Sequence, residues 1–425
     1  MTAVAARPAL SGTTGRPATG FDDPRVAVAF VAASFVLLSA PQVLNFGRLV
    51  PVAVVLVLLA AHLVHRSAAG WRSIRVPVGA LLLAGWLGLT TLWSEGPFLS
   101  LVQTVSTGLV AALAVTLGSF VRGRDLIRGI AVGGVVVLLL SLALAVVSPA
   151  DALMPAGYQG GALRGLYVHR NLLAEVLTPA FIAVLASAPV GSRPLFRRLV
   201  AGGFLLGGIL LTRSSTALAC VALVLVFAAL LALVRRTPAR GRPVALAAVL
   251  GLVAALGWYA VTNFAQVLAL LQRDSTLTGR ALIWDLVRRL IAQRPLGGWG
   301  WGAAWDDGDF VRASVQAVAH FDVPSAHNGY LDAWLQTGVV GLALFMLVAA
   351  TVLLRGLGSV LRGADRLGVW AAAFVVGLLV YNVGEADLVS SLSIFLLITT
   401  LAVLGRAGAA DRRPGEGLSR LGAAA

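Results

Sequence analysis

Long apolar runs separated by short polar loops dominate the chain. Many runs approach the ~20 residues that an α-helix needs to cross a hydrocarbon core of roughly 30 Å. Most are apolar on all sides, as expected for helices that contact lipid and other helices. Twelve such runs occur, at 26–44, 49–65, 76–93, 99–121, 126–148, 172–190, 197–212, 215–234, 244–263, 329–354, 368–383 and 388–405. The pattern predicts an all-α polytopic membrane protein with about twelve transmembrane helices.

The two ends of the chain and one long loop interrupt this pattern. Residues 1–25 are rich in Ala, Pro, Gly and Thr, and we expect a disordered cytoplasmic tail there. Residues 406–425 are expected to form a second cytoplasmic tail, so that 26–405 is the membrane domain. The loop 264–328 is too long for a simple connection, and loops of that length usually carry function or their own structure.

The loop 264–328 contains one segment with helical periodicity. Five apolar residues recur with the i, i+3, i+4, i+7, i+8 spacing of an amphipathic helix, namely Ile283, Leu286, Val287, Leu290 and Ile291. We expect this helix to lie flat on the outer membrane face or to cap the helix bundle. The Gly/Trp-rich run 294–302 that follows cannot form a regular helix, and its amides and the rings of Trp299 and Trp301 suit contact with a sugar or a phosphate.

Composition supports the membrane class and excludes others. Hydrophobic residues make up 59% of the chain and charged residues 12%, which is more apolar than a soluble domain of this size. The single cysteine, Cys220, lies in an apolar run, has no disulfide partner and is expected to pack. A net charge of +15 could indicate nucleic-acid binding. However, every basic residue is an arginine and most lie in short clusters between apolar runs, which is typical of topogenic loops.

The arginines also predict the orientation. With a cytoplasmic N-terminus, the inner segments hold 23 of the 33 arginines and are 1–25, 66–75, 122–128, 191–198, 235–242, 355–366 and 406–425. Inner loops of membrane proteins carry this excess, so both termini are expected in the cytoplasm and the protein in the plasma membrane. The remaining arginines lie on the outer side, against this bias, and each needs another reason.

The outer polar residues gather in a few places. They are Arg164, His169, Arg170 and Asn171 before the sixth helix, Arg213 in a tight turn, Arg280 and His327 in the long loop, and Glu385 between the last two helices. Charged side chains at the edge of apolar spans are costly unless they have partners or a function. These positions are therefore the candidate site residues.

A histidine motif follows the long loop. His327 is followed by Asn328, and then, after nine residues, by Gly338 and, two residues further on, by Gly341. This spacing is similar to the ligase motif of the O-antigen ligase and O-antigen polymerase superfamily of bacterial membrane glycosyltransferases.

Three further motifs appear in the order that this superfamily shows. Thr212-Arg213-Ser214 lies at a helix end, Gly279-Arg280 precedes the loop helix, and the run 294–302 contains the Pro-Leu-x-Gly-x-Gly pattern. The resemblance spans about residues 160–405, and the first five helices add only topology. It implies a fold like that of GT-C-type membrane glycosyltransferases.

The resemblance implies transfer of a glycan from an undecaprenyl-pyrophosphate donor to an acceptor hydroxyl at the extracytoplasmic face. In that chemistry Arg213 and Arg280 would stabilise the charge that develops on the leaving pyrophosphate. His327 would take the acceptor proton as general base, because its unperturbed pKa is near neutrality. No nucleophile paired with a base is found in the motifs, so a single displacement with inversion is expected.

The remaining candidates are assigned to substrate binding or left out of the chemistry. The substrate-binding candidates are Arg164, His169, Arg170, Asn171, Asn328, Trp299, Trp301 and Glu385. The expected partners are a lipid-linked glycan donor, a cell-envelope acceptor and the lipid bilayer, and not nucleic acid. No cofactor is expected, and no metal, since Asp306, Asp307 and Asp309 lack the further ligands that a hard cation needs.

Each catalytic assignment has a purely structural alternative. His327 could bind a loop carbonyl, Arg213 could cap a helix C-terminus, and Arg280 could pair with Asp274 or Asp285.

The same holds for the flanking residues. His169 and Arg170 could cap the sixth helix, and Glu175, Asp332 and Glu385 could serve as partners of the outer arginines. For the whole protein, a lipid-linked acceptor would make it a polymerase, and a different acceptor would make it a ligase. A twelve-helix transporter of polysaccharide or small molecules is the alternative of another class.

Overall fold

A computed structural model describes residues 23–39, 49–64, 74–157, 160–187, 192–262, 280–306, 310–319, 323–363 and 366–410. The predicted tails fall almost entirely outside these ranges, as do residues 263–279 of the long loop.

The described part of the chain is helical. Its α-helices are α1 Pro24–Ser39, α2 Leu49–Val64, α3 Val78–Thr90, α4 Pro97–Phe120, α5 Gly123–Val147, α6 Pro149–Ala152, α7 Arg170–Ala186, α8 Ser192–Leu211, α9 Ser215–Arg236, α10 Arg242–Thr262, α11 Arg280–Gln293, α12 Phe310–Ala319, α13 Gly329–Leu361, α14 Arg366–Tyr381 and α15 Ser391–Ala410. Two short 3-10 helices lie at Thr91–Trp93 and Ala239–Gly241. The described residues contain no strand, only one isolated bridge between Leu153 and Leu163.

The all-α prediction is therefore confirmed for the described residues. Every one of the twelve predicted runs overlaps one of these helices. By length and composition, α4, α5, α9 and α13 are long and apolar enough to cross a membrane. This identifies a helical membrane protein, and the number of spans remains a prediction.

Apolar side chains also cover the outside of the helix bundle. Phe98 is 74% exposed, Leu92 79% and Val146 83%. Exposed apolar patches are unfavourable in water but match the hydrocarbon core of a bilayer, where only the backbone must satisfy its hydrogen bonds internally. The bundle thus has apolar side chains both inside and outside.

The main core lies around α14. Most residues of α14 are buried, and the helix packs against α7, α9 and α13. In addition, α5 packs on α1 and α7, and α4 packs on α15. Because α7, α9 and α14 run side by side, one end of these helices can assemble residues that are far apart in sequence.

A second, smaller core lies at one end of the bundle. The predicted amphipathic segment is α11, and its buried face consists of Ile283, Val287, Leu290 and Ile291. These residues pack with α12, the Gly/Trp-rich run and the first turns of α13. On the opposite face Arg289 pairs with Asp285 at 2.8 Å, and both side chains are exposed.

Helix α13 is broken at Gly338. This glycine has φ 68° and ψ 178°, a conformation that is essentially restricted to glycine. The break leaves helical carbonyl groups without partners, and the run 294–302 supplies them: Trp299 and Gly300 donate to the carbonyls of Leu335 and Gln336, both at 2.9 Å. A Cβ atom on Gly338 would lie 1.8 Å from the carbonyl oxygen of Leu296, so no other residue fits.

Candidate active site

Three of the predicted site residues meet at the carboxylate of a fourth, Glu385. Its Oε1 accepts hydrogen bonds from Nη2 of Arg280 at 2.8 Å and from Nδ2 of Asn171 at 2.6 Å. Its Oε2 lies 3.7 Å from Nδ1 of His327. Residues from the start of α7, the start of α11 and the segment before α13 thus share one acid. The Glu385 side chain is 9% exposed, whereas that of His327 is 32% exposed.

The turn between α14 and α15 holds Glu385 in place. Within it, Oδ1 of Asn382 accepts hydrogen bonds from the backbone N–H groups of Asp387 and Leu388. The carbonyl groups of Asn382 and Glu385 both accept from the N–H of Gly329, at 2.9 and 2.8 Å. A Cβ on Gly329 would lie 1.7 Å from Oδ1 of Asn382, so glycine is required for this close approach. The start of α13 is therefore locked to the turn.

The backbone at His327 adopts an uncommon conformation. Its φ is 48°, in the left-handed region that only a few per cent of non-glycine residues adopt. Neighbouring residues fix it: the N–H of His327 donates to Oγ of Ser325 at 3.3 Å, and Asn328 caps α13 by accepting from the N–H groups of Tyr330 and Leu331. This conformation places the imidazole beside Glu385 while a third of it stays exposed.

Asp332 supports the same segment from inside. We expected this acid to pair with an outer arginine, and that prediction is wrong. Its carboxylate instead accepts from Nε1 of Trp305 at 2.7 Å, from Nε2 of Gln336 at 2.8 Å and from the N–H of Ala326 at 3.0 Å. Because Ala326 directly precedes His327, this hydrogen bond to Asp332 fixes the backbone next to the histidine.

Arg280 is the first residue of α11, and its side chain points to the segment between α14 and α15. Its Nη1 donates to the carbonyl of Gly384 and its Nη2 to Glu385. The alternative partner Asp285 is bound to Arg289 instead, and Asp274 lies outside the described residues. A guanidinium has more N–H donors than these two contacts use. Since its side chain is 20% exposed, Arg280 can also bind an anion.

Arg213 lies in the three-residue turn between α8 and α9. It has φ 52°, and with His327 it makes up the described non-glycine residues with positive φ. Its exposed side chain donates to the carbonyl of Gly160 at 3.2 Å. The observed contacts therefore connect Arg213 to the site through its backbone, whereas Arg280 and His327 reach Glu385 with their side chains.

The start of α7 links these segments. Arg170 is buried and donates through Nη1 to the carbonyls of Thr212, at 2.9 Å, and Arg213. Its guanidinium thus holds the α8–α9 turn against α7, and contact of Arg170 with substrate stays a prediction. His169 caps α7, as the structural alternative predicted, with its Nδ1 accepting from the N–H of Asn171 at 3.2 Å.

The surroundings of His169 change its protonation. Burial lowers the pKa of His169 below its ordinary value of 6.5, and the positive charges of Arg170 and Arg280 act in the same direction, while Glu385 opposes them. A neutral His169 whose Nδ1 accepts a hydrogen bond carries its proton on Nε2. It can therefore donate a hydrogen bond at Nε2 but cannot take up a proton there.

Glu385 is charged at neutral pH. Burial alone would raise its pKa, but the interaction with His327 and the positive charge of Arg280 outweigh burial and hold the pKa below its ordinary value of 4.5. The 3.7 Å between Glu385 and Nδ1 of His327 exceeds a normal hydrogen-bond length, so this contact is an electrostatic one in the substrate-free geometry.

Two predicted sugar-binding residues are placed differently by the structure. Trp299 is 4% exposed and donates to the carbonyl of Leu290 at 3.0 Å. Trp301 is 1% exposed and donates to Oγ1 of Thr107 at 3.1 Å. Both indoles pack in the interior because the run 294–302 folds back onto the break at Gly338. They have no free face for a sugar in this structure.

Arg164 braces its own loop. Its Nε donates to the carbonyl of Asp151 at 3.0 Å and its Nη2 to that of Ala150 at 3.1 Å. Asn328 is used as the cap of α13 and also donates to the carbonyl of Val383 at 3.1 Å. Both residues thus have structural tasks, and their contact with substrate stays a prediction.

Sequence reasoning missed several residues that build the site. Tyr381 donates its hydroxyl to the carbonyl of Asn171 at 2.8 Å. Glu175 lies beside Asp387 rather than beside an arginine, which corrects its expected role. The available signal was the three polar residues Asn382, Glu385 and Asp387 within one short segment between two apolar helices, where polar groups are costly unless they have a task.

Metal ligands were also sought among the described residues. No group of three or more His, Cys, Asp or Glu side chains there could hold a metal ion. Asp307 and Asp309 lie outside the described residues. The expectation that no metal takes part therefore stays a prediction.

Comparison with known proteins adds two findings. Residues 200–346 match the profile of the family described as O-antigen ligase. The exopolysaccharide production protein ExoQ of Rhizobium meliloti (strain 1021) is 28% identical over 282 residues, which cover 62% of this chain and 61% of that protein. The family match includes Arg213, Arg280 and His327 and leaves Asn171 and Glu385 outside.

Proposed function

We propose that this protein, whose residues 200–346 match the O-antigen ligase profile, transfers or polymerises a lipid-linked glycan in cell-surface polysaccharide biosynthesis. The proposed donor is an undecaprenyl-pyrophosphate glycan and the acceptor is a hydroxyl group at the extracytoplasmic face. The observation that carries this proposal is the carboxylate of Glu385, which is shared by a cation, Arg280, and a partly exposed imidazole, His327.

In the proposed reaction His327 is the general base. Its Nδ1 faces Glu385, which leaves Nε2 as the atom that meets the acceptor. As the acceptor oxygen forms its bond to the anomeric carbon, its proton passes to Nε2. The imidazolium that results is stabilised by the negative charge of Glu385, because opposite charges at this distance attract strongly in a partly buried site.

Arg280 acts on the leaving group. The bond between the anomeric carbon and the phosphate oxygen breaks, and the pyrophosphate leaves with the electron pair. A guanidinium fixed by Gly384 and Glu385 is already oriented, so it stabilises this charge without a cost of reorganisation. A single displacement of this kind inverts the anomeric centre. Glu385 thereby positions both reacting groups and is a positioning residue.

Purified protein with an undecaprenyl-pyrophosphate glycan and a hydroxyl acceptor tests the proposal. Removal of a general base lowers turnover by roughly 10²–10⁴-fold, so His327→Ala should lose transfer and keep its affinity for the donor. His327→Gln should not restore transfer, because an amide cannot take up the proton. Arg280→Gln should weaken both donor binding and transfer, because Arg280 meets charge that the bound donor already carries.

Controls separate the alternatives. Arg289→Gln on the same helix removes an exposed guanidinium paired with Asp285 and should leave transfer unchanged. Near-normal transfer by His327→Gln would show that His327 only orients the acceptor. Activity lost in EDTA and restored by magnesium would contradict the metal-independent mechanism. Wild-type protein that moves the glycan across vesicles without transferring it would support the transport alternative.

A further inference from the structure

A large cavity lies at the far end of the helices that build the candidate site. The start of α7, the start of α9 and the end of α14 form that site. The end of α7 at Ala186, the end of α9 at Arg236 and the start of α14 at Arg366 line a cavity of about 660 Å³. This volume is within the range of pockets that hold small molecules, about 300–1,000 Å³.

The cavity combines an apolar wall with a concentration of positive charge. Arg198, Arg235, Arg236 and Arg366 line it, and none of the residues lining it is acidic. Its wall is made of aliphatic residues of α7 and α9 together with Trp370. Asp365, the acid next to Arg366 in the sequence, lies outside the described residues.

Several donors around this cavity have no acceptor. Among the described residues, no hydrogen-bond partner is found for Nε of Arg198, Nε of Arg235, Nη1 of Arg366 or Nε1 of Trp370, although all four atoms are buried. The side chain of Trp370 is 0% exposed. Buried polar groups almost always have a partner, since an unsatisfied one is costly. All four belong to side chains that line the cavity, and an acceptor-rich ligand would pair with them by drawing these side chains towards it.

We propose that this cavity binds the headgroup of an anionic phospholipid. A phosphate offers several oxygens that accept charge-assisted hydrogen bonds from guanidinium groups, and the indole N–H can donate to the same headgroup. The aliphatic wall formed by Ile182, Leu185, Val224 and Leu225 suits the acyl chains. Basic pockets between membrane helices are known to hold anionic lipids in this way.

The position of the cavity favours a membrane lipid over the glycan donor. Arg198, Arg235 and Arg366 belong to segments that the arginine distribution places on the cytoplasmic side. The candidate site lies at the other end of the same helices, so a donor held there does not reach the cavity. The ligand is therefore a lipid of the inner leaflet, and its binding does not depend on the proposed transfer reaction.

Native mass spectrometry of the delipidated full-length protein tests this. Dioleoyl-phosphatidylglycerol and dioleoyl-phosphatidylcholine are offered at equal concentration, and retention of the first is expected. The paired substitution Arg235→Gln and Arg366→Gln should weaken its binding by about tenfold or more, because each removes charge-assisted hydrogen bonds. Arg197→Gln is the matched control, since Arg197 is exposed, lies next to Arg198 and is not among the residues lining the cavity.

Two further experiments decide whether the cavity recognises a phospholipid or a free anion. Trp370→Phe keeps an aromatic ring for stacking on Phe374 but removes the N–H, and weaker phosphatidylglycerol binding is expected. Inorganic phosphate that displaces the lipid at millimolar concentration would show that the site recognises a free anion and not a lipid. Equal binding of both lipids, or equal loss in Arg197→Gln, would overturn the proposal. Thermal unfolding without lipid confirms that each variant is folded.

Discussion

The two ends of the bundle treat their arginines in opposite ways. At the end formed by Glu385, which we call the acid end, the Arg280 guanidinium reaches a carboxylate and a carbonyl, and that of Arg170 reaches two carbonyls. At the other end, which we call the arginine cavity, Arg235 and Arg366 each keep a buried donor without an acceptor among the described residues. Cations with built-in partners are pre-oriented for a reaction, whereas cations without partners are ready to bind an anion. This difference favours the acid end as the place of the proposed transfer reaction and the arginine cavity as a binding site.

The largest effect is expected when the acid end loses its acid. Glu385→Gln leaves the charge of Arg280 uncompensated, and breaking a buried ion pair from one side costs about 3–5 kcal/mol. We expect a loss near the lower end, since the Arg280 side chain is 20% exposed. Transfer should also fall, because His327 loses the charge that stabilises its imidazolium. Unfolding in detergent and the transfer assay measure the two losses.

A double variant separates stability from catalysis. Glu385→Gln with Arg280→Gln removes both charges and should recover most of the lost stability without recovering transfer. At the arginine cavity, Arg235→Gln removes a guanidinium whose buried Nε has no acceptor among the described residues, and it should not lower the stability of the lipid-free protein. Equal destabilisation by Glu385→Gln and Arg235→Gln would remove the difference between the ends.

A smaller effect is expected from two buried tryptophans. The N–H of Trp301 donates to Thr107, whereas that of Trp370 has no partner among the described residues. Trp301→Phe should therefore cost about 1 kcal/mol more than the ring exchange itself, the net worth of one hydrogen bond. Trp370→Phe should not lose this hydrogen-bond free energy when lipid is absent, but it should lose it when phosphatidylglycerol is bound. Chemical unfolding with and without lipid measures both differences.

The smallest effect concerns pH at the acid end. The pKa of His169 is lowered on folding, so the unfolded chain takes up a proton that the folded protein does not. The stabilisation is fully present above the ordinary value of 6.5 and is lost as pH falls from there towards the lower folded value. His169→Asn keeps a side chain that caps helices well and removes the titration. The melting temperature of this variant should fall less than that of the wild-type protein as the pH drops below 6.5.

The sequence predicted the fold better than the site. Apolar runs located the helices because a membrane helix must form all its backbone hydrogen bonds internally and present apolar side chains to lipid. Both requirements can be recognised from the local sequence. The stripe from Ile283 to Ile291 likewise predicted α11 and its buried face. The break at Gly338 could not be predicted, because a glycine inside an apolar helix has no distinct pattern and the break depends on a loop forty residues earlier.

At the site, the residue types indicated which side chains come together, but the sequence did not specify all of their contacts. His327, Arg280 and Glu385 were selected because charged residues near apolar spans need a reason, and the structure brings these three together. Trp299 and Trp301 were selected because aromatic rings between glycines resemble a binding surface, whereas the structure shows both rings buried in a core. Glu385 was named as a possible partner of the outer arginines, and its pairing with Arg280 confirms this. Local spacing also offered Asp285 to Arg280, but helix packing decides which acid an arginine meets, and Asp285 pairs with Arg289.

The break at Gly338 has a consequence for genetics. The glycine lies eleven residues after His327 and carries no functional group, but its backbone holds the loop on which α11 and the histidine segment pack. A screen that scores only polysaccharide on the cell surface would group Gly338 variants with His327 variants as inactive. Under the proposed function their protein levels would differ, because an altered Gly338 would damage folding, whereas an altered His327 would leave an abundant membrane protein that lacks transfer. Loss-of-function alleles in this chain therefore divide into two classes, which an antibody against the protein would distinguish.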